Sequence, residues 1–267
     1  MPSNLPDAPA YNRVPRVTPD FWLIKLMAVT VGETAADYLA LNLGLGLPLT
    51  SLIMTAVLTG ALFMQFAQRR YVPVWYWIAV VLVSVVGTLL TDNLVDNLAV
   101  PLEVTTAVCA VLLALTFAVW FWRERTLSIH TIATTRREVF YWVAILLTFA
   151  LGTAAGDLVA EKLDMGYLLT AIIFAVVIGA IAVAYYAFRL NAVLAFWLAY
   201  ILTRPMGASF GDLLSQPMEY GGLGLGTIVT SVIFLAIIAA TIVYMTVTHR
   251  GGEVIASDAA VHPGPRA

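Results

Sequence analysis

Four copies of one spacing limit this chain more than any other feature. Trp22, Gly32 and Asp37 are followed by Trp77, Gly87 and Asp92, by Trp142, Gly152 and Asp157, and by Trp197, Gly207 and Asp212, so W-x9-G-x4-D recurs without a spacing error. The steps between aspartates are 55, 65 and 55 residues, which sets 37 and 157, and likewise 92 and 212, at the same separation of 120. Such nesting describes two halves of two units each.

The surroundings of those units follow from composition. The chain is 61% hydrophobic and 11% charged, with a mean hydropathy of +0.91, against about 25% charged residues in soluble domains. It reads as an all-α integral membrane protein. A net charge of -2 offers nothing to nucleic acid, and the lone Cys109, in an apolar run, excludes disulfides and thiolate clusters.

Eight apolar runs are long enough to cross about 30 Å of hydrocarbon at about 1.5 Å per residue. They predict helices near 21–43, 48–67, 74–95, 101–122, 138–160, 165–188, 191–214 and 223–247, paired as four hairpins. The expected organisation is a polar tail at 1–20, a first membrane half at 21–125, a linker at 126–137, a second half at 138–248 and a disordered tail at 249–267. Of the fourteen Lys and Arg residues, Lys162 alone falls on one side of the layer and Arg204 inside the seventh helix; the rest gather on the other side. The positive-inside rule then predicts both termini in the cytoplasm. Each unit spans twice, so the four repeats run parallel around an axis along the membrane normal, unlike the inverted repeats of many transporters.

Within the motif, the Trp stands near the cytoplasmic start of its helix, where aromatic rings anchor at the interface, and the Asp lies about 22 Å farther across. Gly32/Ala36, Gly87/Thr91, Gly152/Gly156 and Gly207/Gly211 form small-xxx-small pairs, which let another backbone approach closely. The odd-numbered helices should therefore pack inside, with Asp37, Asp92, Asp157 and Asp212 at one level. One turn earlier on the same face stand Glu33, Thr88, Thr153 and Ala208. Carboxylates at membrane depth cost about 2.5–3.5 kcal/mol on insertion scales, so four at one level predict a cation or proton site. The alternative is four polar helix ends, each bonded to a neighbouring backbone.

Carboxylates with nearby hydroxyls suit hard ions, which makes the four aspartates the candidate metal ligands. His130, His249 and His262 lie outside the apolar runs, so neither a haem nor an imidazole zinc site can form and no cofactor is expected. Arg204, beside Pro205, reads either as a counter-ion or as a snorkelling base, and Lys25 as a snorkelling base. The expected partners are the lipid bilayer and a small inorganic cation, and a homo-oligomer is left open.

The stretches FWLIKLMAVTVGETAAD and YILTRPMGASFGD resemble those of a bacterial family of multi-pass proteins labelled only as membrane-anchored. The resemblance spans all four units. It implies a bacterial inner membrane and no particular substrate.

The leading expectation is thus a cation transport protein and not an enzyme: an exporter of a divalent, manganese-like hard cation, proton-coupled or channel-like. A sensory or accessory subunit competes with it. An intramembrane aspartyl protease fits less well, because AAGD and SFGD lack the first glycine of the GxGD pattern.

Overall fold

The computed structural model describes residues 10–248 and 254–255. Its eight helices are α1 Pro19–Asp37, α2 Leu47–Phe66, α3 Pro73–Asp92, α4 Leu102–Glu124, α5 Thr135–Asp157, α6 Gly166–Phe188, α7 Ala192–Ser215 and α8 Thr227–Val247. Their starts carry recognisable signals. Thr18, Thr134 and Asn191 accept from first-turn amides of α1, α5 and α7, and prolines occupy the first turns of α1, α2 and α3, where a missing N–H is harmless.

Seven helices are long and apolar enough to cross a membrane, as in a multi-pass membrane protein. The eighth expected span, α1, is not among them, because it carries Asp20, Lys25, Glu33 and Asp37. It compensates by burial. Most of its residues from Ile24 to Ala36 are buried among other helices, where ionic groups find partners that lipid cannot supply.

The arrangement is a ring within a ring. α1, α3, α5 and α7 pack in a closed cycle, each against the next and α7 back against α1. The main packing is not within the sequence hairpins: α2 lies on α3, α4 on α5, α6 on α7 and α8 on α1, with only a smaller contact of α8 on α7. Each outer helix therefore covers the inner helix of the following unit and locks the cycle. Outer helices present bare apolar faces, as α6 does, whose only buried residue among those described is Thr170. Inner helices hold the core.

Three of the four motif tryptophans belong to that core, and Trp22 packs against it half-buried. Trp77, Trp142 and Trp197 are buried and pack with Phe21, Tyr76, Tyr141, Phe196 and Tyr200 through tilted and edge-on contacts. They stand on the inner ring, in the first halves of α3, α5 and α7. Aromatic pairs at such spacings contribute about 0.5–1.5 kcal/mol each beyond their burial.

The end where the inner helices begin is closed by chain segments the sequence assigned to tails and linker. β1 Ala10–Tyr11 pairs antiparallel with β2 Val254–Ile255, so the two chain ends meet. Asn12 is buried, its Nδ2 donating to the Ile129 carbonyl at 2.8 Å and its Oδ1 accepting from the Ile132 amide at 3.2 Å. Asn12 and Val14, within the polar tail expected over 1–20, are thus built into the fold. The linker at 126–137 is ordered as well: Ile129 and Ile132 are buried, and Glu124 receives both Arg136 and, at 2.7 Å, Arg137. The remainder of both expected tails, 1–9, 249–253 and 256–267, lies outside the described residues.

Candidate functional site

Every inner helix carries its pattern in the same register, so positions four apart stack in tiers roughly 6 Å deep. Eight residues before each aspartate stand Val29, Ser84, Phe149 and Arg204, and four before stand Glu33, Thr88, Thr153 and Ala208. The aspartates form the next tier. Four residues past them come Leu41, Asp96, Glu161 and Gln216.

The glycines set the ring's diameter, as the small-residue stripes predict. Gly32 of α1 lies on Ser84 of α3, Gly87 of α3 on Phe149 of α5, Gly152 of α5 on Arg204 of α7, and Gly207 of α7 on Val29 of α1. One contact is thus made four times around the cycle. A Cβ at Gly87 would stand 2.6 Å from Phe149 Cβ, and one at Gly207 2.6 Å from Val29 Cγ1. Gly156 and Gly211 continue two of these seams, facing Pro205 and Thr30.

Just after the aspartates the helices loosen. Tyr38–Asn42, Asn93–Asn97 and Leu158–Lys162 are single π turns, closed by i+5 bonds such as Leu43 N to Tyr38 O at 2.9 Å. π turns inside helices are frequent at functional sites. The fourth unit lacks one because Pro217 has no amide to donate; Gln216 N bonds the Asp212 carbonyl at 2.9 Å and α7 remains α-helical to Ser215.

These turns frame a cavity of about 370 Å³ at the end of the bundle opposite the chain termini. Asp37, Asp92, Asp157 and Asp212 all line it, together with Glu33, so five of the expected site residues converge. Asp96, Glu161 and Gln216 line it too and escaped the sequence reading. Their signal was available: they recur at the next turn of the same face. Among the described residues, none of the four motif carboxylates makes a hydrogen bond or an ion pair, although Asp212 is only 8% exposed. The backbone-bonded alternative therefore does not describe them.

Thr88, Thr153 and Arg204 do not line the cavity but stand behind Glu33, which does. Arg204 is 1% exposed, and its Nη2 donates to Glu33 Oε2 at 2.9 Å, to Thr153 Oγ1 at 2.8 Å and to Thr88 Oγ1. Thr88 also donates to Glu33 Oε2 at 3.3 Å. Arg204 is therefore a counter-ion, to Glu33 and not to an aspartate. The asymmetry explains its place: unit four has Ala208 where the others have Glu33, Thr88 and Thr153, and the guanidinium reaches up from one turn below to meet those three.

Lys25 does not snorkel. It is fully buried one turn below Arg204's tier, with Nζ bonded to the Tyr200 carbonyl at 2.7 Å and to Thr203 Oγ1, and 4.2 Å from the Tyr200 ring centroid. The stem cannot reach water because Phe21, Trp22 and Phe196 pack around Tyr200. Deeper still, the Tyr76 and Tyr141 hydroxyls bond each other. The axis between the acidic cavity and the termini is thus filled by side chains, two of them cationic.

The aspartates are not a preformed metal centre. Among the described residues, no three His, Cys, Asp or Glu side chains converge in a way that could hold a metal ion. The four aspartates expected from the sequence as metal ligands stand around the cavity wall, each on a different helix of the inner ring.

Residues 21–71, 75–126, 140–191 and 195–251 each match one family profile, described as Repeat of Unknown Function (DUF347). The four matches coincide with the four units. No curated protein and no solved structure matches the chain.

Proposed function

We propose that this chain, which belongs to the DUF347 repeat family, is a cation transport protein that loads its substrate at the acidic cavity. The observation carrying the reading is the convergence of unbonded carboxylates from all four inner helices on one cavity, with Asp212 buried there. Desolvating a carboxylate without a partner costs several kcal/mol, and an incoming cation removes that cost. The filled axis below supports a carrier over an open pore: release on the other side requires the Arg204 and Lys25 layers to move. Protons are suitable coupling ions, since interacting carboxylates lining one cavity titrate as a group.

The reading includes a bacterial inner membrane with both chain ends in the cytoplasm, supported by the resemblance to membrane-anchored bacterial proteins and by the bases gathered at the terminal end. A hydrated hard divalent ion, the class expected from the sequence, is compatible with carboxylates of which, among the described residues, no three converge to hold a bare one.

The test is transport in vesicles containing the purified full chain, with internal cation and pH both followed. Asp157→Asn, which keeps shape and removes the anion, is expected to abolish cation-dependent flux while the protein remains folded in the bilayer, and Asp37→Asn to do the same. Unchanged flux in both variants would end the proposal.

A further inference from the structure

Resting on the cation-transport reading, we infer that the substrate is a small aliphatic di- or polyamine. Three features of the cavity lead there. First, its volume of about 370 Å³ lies in the range of organic-ligand sites, about 300–1,000 Å³, and far exceeds what one dehydrated ion fills. Second, the negative groups are distributed and not focused: no three of them converge on one point, whereas two or three ammonium groups separated by methylenes can each meet a different carboxylate. Third, apolar side chains share the wall with the carboxylates. Leu41, Leu47, Val95 and Leu102 line it, with the Tyr167 ring.

A hydrated metal ion gains nothing from leucine side chains. Methylene segments do gain, since their transfer from water to an apolar wall is favourable, and an ammonium group beside Tyr167 would meet a ring face that attracts cations. Asp212 supplies the anchor: its carboxylate is buried, lines the cavity and has no partner among the described residues. Arg204, paired with the lining residue Glu33 at 2.9 Å, sets the depth. Its guanidinium repels a second cation from Glu33, so the bound amine lies across the aspartate tier and the outer tier of Asp96 and Glu161.

The test is equilibrium binding of radiolabelled spermidine to the purified full chain in lipid nanodiscs, at constant ionic strength. Saturable binding, displaced by putrescine but not by equal Mn²⁺ or Mg²⁺, is the expected result. Asp212→Asn is expected to weaken it by about tenfold or more, and Leu102→Asn to weaken spermidine more than ethylenediamine, which has less methylene to bury. Melting temperature and elution profile certify each variant as folded; should Asp212→Asn fail that check, the exposed Glu161→Gln takes its place. Displacement by Mn²⁺ or Mg²⁺ at lower concentration than putrescine would overturn the amine assignment and leave the cation-site reading standing. If neither amine nor metal binds in a carboxylate-dependent way, both readings fall together.

Discussion

Removing the Glu33 carboxylate isolates a guanidinium that has no route to water. Arg204 is 1% exposed and its ion pair with Glu33 measures 2.9 Å. Breaking a buried pair by deleting one partner costs about 3–5 kcal/mol, because the surviving charge stays desolvated. In Glu33→Ala the Arg204 Nη2 still has Thr88 and Thr153, which places the loss near the lower end, about 3 kcal/mol, or roughly 150-fold in the folded-to-unfolded ratio. At about 2–4 °C per kcal/mol for a chain of this size, the melting temperature falls by about 6–12 °C. Arg204→Met is expected to cost a similar amount, since Glu33 then keeps only Thr88. The double variant Glu33→Ala/Arg204→Met removes both charges, and much of the loss should return, because the two groups act as one unit. Tryptophan fluorescence during heating reads all three, since Trp77, Trp120, Trp142 and Trp197 are buried. Single variants within about 2 °C of the parent, or a double variant as unstable as the sum of the singles, would refute the claim that this pair is buried and coupled.

Other expectations follow from the ring. Gly87→Ala puts a methyl against Phe149 Cβ and the Ala150 amide and should destabilise by about 1–3 kcal/mol, whereas Gly60→Ala and Gly179→Ala, where nothing lies within 4 Å, should be neutral or raise the melting temperature through helix propensity; equal effects at all three would refute the seam geometry. Lys25→Met, which removes a buried ammonium having no carboxylate partner, should leave the melting temperature unchanged or raised, and Lys25→Glu should prevent recovery of folded protein in detergent. Reporter fusions after Arg70, within 126–135, after Arg189 and at the C-terminus should all report the cytoplasm, and a periplasmic signal at any one would break the arrangement of four parallel units.

A great deal of the fold is legible in residue spacing. The repeat at 55, 65 and 55 residues fixes four units, hydropathy fixes their medium, and a glycine five residues before each aspartate marks the helices that approach closely. Positions four apart on one helical face are local geometry, so the sequence also determines that Glu33 shares a face with Asp37, and by the same rule Asp96 with Asp92 and Glu161 with Asp157. Which helix meets which is not local. An outer helix could cover its own unit's inner helix or the next one's with the same apolar stripe, and only closure of the ring selects α2 on α3 and α8 on α1. The fates of Lys25, Arg204 and the motif tryptophans were decided at that level too. A long base one third of the way along a helix can reach water or turn inward, and the choice depends on whether the chains around it, Tyr200 and Thr203 for Lys25, Glu33, Thr88 and Thr153 for Arg204, supply bonds worth more than hydration. Those partners come from helices up to 178 residues away in sequence, so their energy exists only once the four inner helices have closed.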